Sequence, residues 1–159
     1  MLEIKPMDLA AVILAAGKGT RMNSSIPKVL NQIAGLPMLG HVIELTKSLK
    51  IDKPSIVVGH GSEAVREFIK GHAINATCVN QKEQLGTGDA LNCARVALST
   101  FDGKLIILYG DVPFIQNSTI VSMLDQLKRG ADLSIVGFNN PDPVGYGRLI
   151  IGSGNEISE

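Results

Sequence analysis

The sequence predicts an α/β fold with a doubly wound, mostly parallel sheet. Short apolar runs alternate with segments in which apolar residues recur at helical spacing, which is the pattern of βαβ units. The apolar runs are nearly continuous, so we expect a sheet that is covered on both faces. Right-handed crossovers then bring the loops that follow the strands to one edge of the sheet, where such folds bind ligands.

Five segments have the composition of buried strands. The predicted strands are residues 9–15 (LAAVILA), 55–58 (SIVV), 76–79 (ATCV), 105–108 (LIIL) and 133–136 (LSIV). Three further segments have apolar residues at helical spacing. These residues are Met38, Val42, Leu45 and Leu49, then Ala90, Leu91, Ala94, Ala97 and Leu98, then Ile120, Val121, Leu124 and Leu127.

The composition excludes several classes of protein. With 159 residues, of which 45% are hydrophobic, the chain is expected to be one globular domain with a buried core. The apolar run 9–16 is too short for a membrane span and has no basic flank, so neither a signal peptide nor a membrane partner is expected. Basic and acidic residues balance at 15 each, so no nucleic-acid partner is expected. Cys78 and Cys93 form no C-x-x-C motif, which favours a reducing, cytoplasmic location.

The loop LAAGKGTRM, residues 14–22, follows the first predicted strand. It is not a P-loop, because Lys18 is followed by Gly19 rather than by Ser or Thr. It is not the dinucleotide motif G-x-G-x-x-G either, because Met22 takes the place of the third glycine. The loop therefore needs another explanation.

An anion site is one such explanation. No carboxylate lies between Asp8 and Glu44, whereas Lys18, Arg21 and Lys28 fall in this stretch. Glycines let backbone N–H groups approach a ligand closely, so phosphate is the natural anion. A solvated basic loop explains the charges equally well.

Two more motifs follow predicted strands. In LYGDVP, Asp111 either closes a turn or binds Mg²⁺, which proteins commonly hold through one or two carboxylates together with substrate phosphates. No second metal ligand is identifiable. In NQKEQLGTGDAL, residues 80–91, Thr87 either caps a helix or belongs to a loop whose glutamines recognise the donors and acceptors of a base.

These motifs occur in one order with PKVL at 27–30, GHG at 59–61 and GYGR at 145–148. In that combination the chain resembles the nucleotidyltransferase domain of bacterial bifunctional UDP-N-acetylglucosamine pyrophosphorylase/glucosamine-1-phosphate N-acetyltransferases, from residue 9 to about 150. Other sugar-nucleotide and isoprenoid cytidylyl transferases share the first loop and Pro27-Lys28. QLGTGDA with LYGDVP favours the uridylyl branch.

The resemblance implies a Rossmann-like nucleotide-diphospho-sugar transferase fold and a reaction that makes a cell-wall precursor. UTP and N-acetylglucosamine 1-phosphate would give UDP-N-acetylglucosamine and pyrophosphate, by attack of the sugar phosphate oxygen on the α-phosphorus. Such transfer depends mainly on positioning and charge neutralisation, so no general base is required. Mg²⁺ is the implied cofactor.

The resemblance also implies a role for each matching residue. Arg21, Lys28 and Asp111 would be catalytic, and Asp111 would also bind the metal. The implied nucleotide-binding residues are Leu14, Ala15, Ala16, Gly17, Lys28, Gln81, Gly86 and Thr87, with Gln81 at the uracil edge. The implied sugar-binding residues are Tyr109, Gly110, Asp111 and Gly147.

The C-terminal stretch departs from the family pattern. Gly152-Ser153-Gly154-Asn155 predicts a turn that sends a second strand back, but only residues 156–159 follow it. We therefore expect residues 1–159 to form a single nucleotidyltransferase-like domain that is incomplete at its C-terminal side. The family's further sugar-binding glutamate and its asparagines have no counterpart here. No hexapeptide repeat is present, so acetyl transfer is not expected of these residues.

Two functions from different classes remain open. The chain is either part of an active uridylyltransferase, alone or completed by a second chain, or a shortened, non-catalytic relative. The relative would bind nucleotide, or a partner chain along an unpaired sheet edge.

Overall fold

The computed structural model describes residues 9–19, 26–152 and 157. The chain divides into two units, Met1–Asn117 and Ser118–Glu159. Arg21 and the rest of residues 20–25 lie outside the described residues. Among the helices that are described, none is both long enough and apolar enough to cross a membrane.

Within the described residues, the first unit contains all the strands and most of the helices. The strands are β1 (Leu9–Ala15), β2 (Gln32–Ile33), β3 (Leu36–Pro37), β4 (Ser55–Val58), β5 (Thr77–Asn80) and β6 (Lys104–Tyr109). The helices are α1 (Met38–Ser48), α2 (Ser62–Gly71), α3 (Thr87–Ala94) and α4 (Asn117–Lys128), of which α4 begins at the last residue of this unit. Short 3₁₀ turns cover Lys28–Leu30 and Arg95–Leu98.

The main sheet has the strand order β5-β4-β1-β6, and all its neighbours pair in parallel. In register, Ile13 of β1 lies opposite Ile56 of β4 and Leu108 of β6. β2 and β3 form a separate antiparallel pair. The predicted α/β class and mostly parallel sheet are therefore confirmed.

The core is centred on the two middle strands. Val12, Ile13 and Val57 are fully buried. Val12 and Val57 pack with Ala90 and Ala94 of α3, which lies against β1 and β4. Successive residues of a strand point to opposite faces, so Ile13 faces away from α3. Burial on both faces explains why residues 9–15 and 55–58 are apolar throughout, and these predicted strands coincide with β1 and β4.

The prediction that both faces of every strand are covered is wrong for β6. Leu105, Ile107 and Tyr109 are exposed, whereas Ile106 and Leu108 between them are buried. The physical reason is that α3 packs on β1, β4 and β5, and α1 packs on β1. β6 is an edge strand that these two helices do not cover. It is buried on one face only, so its side chains alternate between buried and exposed.

The strands predicted at 76–79 and 105–108 are present as β5 and β6, each within one residue of the predicted ends. Two other predicted elements differ more from the structure. The predicted helix through Leu98 ends at Ala94 and continues as a 3₁₀ turn, a frequent ending for α-helices. The predicted strand at 133–136 has no strand structure. A strand needs a partner for its backbone groups, and the described part of the second unit contains no sheet for this segment to join.

The second unit contains α4 from Ser118 onward and a C-terminal segment. Ile120 and Leu124 are its buried helical residues. Phe138 and Tyr146 stack edge to face, with ring centroids 5.4 Å apart. An isolated antiparallel bridge joins Ile151 to Ile157, at the place where the sequence predicts a returning strand.

We expect Ile13→Ala to lower the free energy of unfolding by about 2–5 kcal/mol, because it opens a cavity in a fully buried position. Ile107→Ala on β6 is the matched control, since this side chain is 40% exposed. The control should lose only about 1 kcal/mol. Urea unfolding followed by far-UV circular dichroism measures both, and equal losses would contradict the assignment of the core.

Candidate functional site

A cavity of about 440 Å³ lies at the carboxyl ends of β1, β5 and β6 in the first unit. Its walls come from the loop after β1, the turn at Lys28, the loop between β5 and α3, and the end of β6. The lining residues are Leu14, Ala15, Ala16, Gly17, Gly19, Lys28, Val29, Gln81, Gln84, Gly86, Thr87, Ala90, Tyr109 and Asp111. This edge is where a parallel sheet is expected to bind ligands.

Most of the site residues predicted from the sequence line this one cavity. Those on the cavity wall are Leu14, Ala15, Ala16, Gly17, Lys28, Gln81, Gly86, Thr87, Tyr109 and Asp111. Gly110 lies next to them, and its backbone N–H donates to the Leu14 carbonyl at 2.9 Å. Gly147 belongs to the second unit, and Arg21 lies outside the described residues. The role of every one of these site residues stays a prediction.

Four lining residues were not predicted: Gly19, Val29, Gln84 and Ala90. All four lie inside the motifs LAAGKGTRM, PKVL and QLGTGDA, so motif membership was the available signal. Thr87 is the first residue of α3, not its cap, because Gly86 takes the capping position.

Two glycines bring Lys28 into the cavity. Gly19 has φ +58°, and a Cβ atom there would lie 2.8 Å from Lys28 Cβ. Gly61 has φ +65°, and a Cβ atom there would overlap the ring of Pro27. The Asn31 amide also donates to the carbonyls of Pro27 and Lys28, at 3.3 and 3.0 Å. The loop after β1 and the loop after β4 therefore enclose the turn that carries Lys28.

Lys28 and Asp111 form an ion pair inside the cavity. Lys28 Nζ lies 2.6 Å from Asp111 Oδ2, although the residues are 83 positions apart in the sequence. Both side chains are about one third exposed. For a pair this exposed, the expected contribution to stability is below about 1 kcal/mol. The pair matters more as a local charge balance, because each group neutralises the other.

The residues around Asp111 fit one kind of metal site. The described residues contain no group of three or more His, Cys, Asp or Glu side chains that could enclose a metal ion. Asp111 is a single carboxylate on a cavity wall. Magnesium is commonly bound by one or two carboxylates together with substrate phosphates and water, and Asp111 fits that arrangement.

Gln81 is the most buried polar group of the cavity, with 6% of its surface exposed. Its backbone N–H donates to the Val58 carbonyl at 2.8 Å, which continues the pairing of β4 and β5. Its side-chain Nε2 donates to Asp89 Oδ2 at 2.8 Å and to the Gly86 carbonyl at 3.1 Å. The amide is therefore held at a defined position where β5 meets α3.

We expect Gly61→Ala to destabilise the chain by about 1–3 kcal/mol, because it forces a left-handed conformation on Ala and a clash with Pro27. Gly71→Ala is the matched control, since a Cβ atom at Gly71 meets nothing within 4 Å and Ala favours the helix. Thermal unfolding of the two variants measures the difference. A Gly61 variant as stable as the Gly71 variant would contradict the packing of the two loops.

Comparison with known proteins identifies relatives of this chain. Residues 11–156 match the family described as MobA-like NTP transferase domain. The chain is 47% identical over 145 residues to the bifunctional protein GlmU of Roseobacter denitrificans, and 50% identical over 145 residues to that of Ruegeria sp.. Each match covers 91% of this chain but 32% of the relative, so the chain spans about a third of the length of these relatives.

Solved structures show the same fold at low identity. A UDP-glucose pyrophosphorylase from Acinetobacter baumanii superposes with TM-score 0.65 and 19% identity, over 78% of this chain and 54% of that chain. A putative glucose-1-phosphate thymidylyltransferase from Bacillus anthracis superposes with TM-score 0.64 and 20% identity, over 74% and 51%. The Rossmann-like fold and the resemblance inferred from the motifs are both confirmed.

Proposed function

The chain belongs to the MobA-like NTP transferase domain family, and from that premise we propose that it is the uridylyl-transferring part of a UDP-N-acetylglucosamine pyrophosphorylase. The proposed substrates are UTP and N-acetylglucosamine 1-phosphate, and the products are UDP-N-acetylglucosamine and pyrophosphate. The observation that supports this proposal most strongly is the shared cavity. It brings together the glycine loop, a cation, a carboxylate and a buried amide from four separate segments.

In this proposal each wall of the cavity has a different task. Ala15, Ala16 and Gly17 have small or absent side chains, so their backbone lies close to the nucleotide. Gln81 hydrogen-bonds the base from the end of β5. Tyr109 and Asp111 approach the sugar phosphate from the end of β6.

The reaction needs charge neutralisation more than covalent help. Lys28 neutralises part of the triphosphate charge, and Arg21 is proposed to do the same. Asp111 would hold Mg²⁺, which supplies further neutralisation of phosphate charge when bound. The sugar 1-phosphate oxygen then attacks the α-phosphorus in line with the leaving pyrophosphate.

A reducing, cytoplasmic location is part of the proposal. Cys78 and Cys93 are both free thiols, which supports that location. Burial raises the pKa of the Cys78 thiol, partly offset by the nearby charge of Arg66. A raised pKa keeps Cys78 protonated near neutral pH, so it is a poor nucleophile and has no part in the proposed reaction.

A second candidate function is that of a shortened, non-catalytic relative, which binds nucleotide or a partner chain without turnover. The edge strand β6 supports this candidate, because Leu105 and Ile107 are exposed on it. Exposed apolar residues on an edge strand favour pairing with another chain. A turnover assay combined with a binding assay separates the two candidates.

We expect UTP with Mg²⁺, at ~100 times its dissociation constant, to raise the melting temperature by roughly 5–10 °C. Lys28→Met should remove most of this shift, because it deletes the cation but keeps most of the apolar stem. Lys53→Met is the matched control, since Lys53 is exposed and lies outside the cavity. An unchanged shift in the Lys28 variant would contradict the phosphate-binding role.

Pyrophosphate release, measured with UTP, N-acetylglucosamine 1-phosphate and Mg²⁺, then tests catalysis. Turnover that is absent in Asp111→Asn supports the uridylyltransferase. Turnover that persists in that variant contradicts the role of Asp111. UTP-dependent stabilisation without turnover favours the second candidate.

The ion pair makes a separate prediction about metal-free binding. In EDTA, Asp111→Asn should bind UTP about two- to tenfold more tightly than the unaltered chain, because Lys28 is released and a negative charge is removed. Added Mg²⁺ should improve binding by the variant less than binding by the unaltered chain. Asp102→Asn, an exposed position outside the cavity, is the control for net charge. Weaker metal-free binding by Asp111→Asn would contradict the proposed charge balance. Titration calorimetry measures all three proteins.

A further inference from the structure

The orientation of the Gln81 amide is determined by its two partners. Nε2 donates to Asp89 Oδ2 at 2.8 Å and to the Gly86 carbonyl at 3.1 Å. Carboxylate and carbonyl oxygens only accept hydrogen bonds. Turning the amide over would place its own oxygen against both of these oxygens and remove the hydrogen that each accepts from Gln81. These two hydrogen bonds therefore favour the nitrogen on the Asp89 side.

The same arrangement leaves the amide oxygen for a ligand. Both hydrogens of Nε2 are used, while no donor to Oε1 is present among the described residues. In the described part of the chain, no fully buried side-chain oxygen or nitrogen lacks a partner. Oε1 is therefore accessible, and Gln81 lines the cavity. Because both donors of this side chain are used, only its acceptor is left to bind a ligand.

We propose that Asp89 is a positioning residue that sets the base preference of the site, an inference that rests on the proposed nucleotide function. By holding Nε2, Asp89 presents Oε1 alone to the base. Uracil and thymine carry a ring N–H at position 3 that donates to such an oxygen. Cytosine has a bare ring nitrogen there, and two acceptors would face each other without a hydrogen.

The position of Asp89 is itself fixed by the core. Asp89 lies in the first turn of α3, directly before Ala90. Ala90 is 4% exposed and packs with Val12 and Val57 of the sheet, and its N–H donates to the Gly86 carbonyl at 3.1 Å. The Asp89 carboxylate and the Gly86 carbonyl, which orient Gln81, therefore belong to the N-terminus of α3, which packs on the core. This rigidity lets one carboxylate determine a preference of the ligand site.

Dissociation constants of UTP and CTP, measured by calorimetry in Mg²⁺ buffer, test the proposal. The unaltered chain should bind UTP at least about tenfold more tightly than CTP. In Asp89→Asn the ratio should fall to about threefold or less, because an amide at 89 either accepts or donates, and only the Gly86 carbonyl then opposes turning Gln81 over. Glu83→Gln is the matched control, since it removes one charge from the same loop without a hydrogen bond to Gln81, and it should keep the ratio.

Two further measurements keep the test independent of how one variant folds. Asp89→Ala suits the helix and removes the acceptor, so it should also lower the ratio. UTP methylated at position 3 lacks the ring N–H and should bind the unaltered chain about as weakly as CTP. If the methylated UTP binds like UTP, or if folded Asp89 variants keep the ratio while UTP still binds, the positioning role is overturned and the proposed function stands. If the unaltered chain binds no nucleoside triphosphate, the proposed function fails and the inference fails with it.

Discussion

The parallel pairing of β1 between β4 and β6 is the constraint on which the rest of the structure depends. Parallel strands all end at one edge of the sheet, so the segments that follow them meet there. This is how Lys28 and Asp111, 83 positions apart, come within 2.6 Å of each other. The pairing requires β1 to be buried on both faces, and Val12 and Ile13 provide that burial.

Two residues belong both to the cavity wall and to the core of the first unit. Ala16 and Ala90 belong to the buried cluster that joins α3 to β1 and β4, and both also line the cavity. A larger side chain at either position would both disturb the packing of the core and fill part of the cavity. The packing of the core and the shape of the cavity are therefore coupled through small side chains, and a change at one of these positions is expected to affect both.

Three polar side chains on the cavity wall have identified partners. Lys28 is balanced by Asp111, and the Gln81 amide is oriented by Asp89 and Gly86. Such an arrangement suits a transfer reaction that depends on positioning and charge neutralisation. It also agrees with the near-zero net charge of the chain, because local placement of charge, not total charge, distinguishes the site.

The sequence by itself determined the α/β class, the two central strands and most of the cavity wall, because burial on both faces demands continuous apolar runs and the motifs follow those runs directly. Only the tertiary structure decided the rest. Whether residues 133–136 pair as a strand, and which side chains of β6 are exposed, depends on neighbours that a local pattern does not contain. The contact of Asp89 with Gln81 likewise depends on how α3 docks on β1 and β4, since hydrogen bonds are set by distances in space.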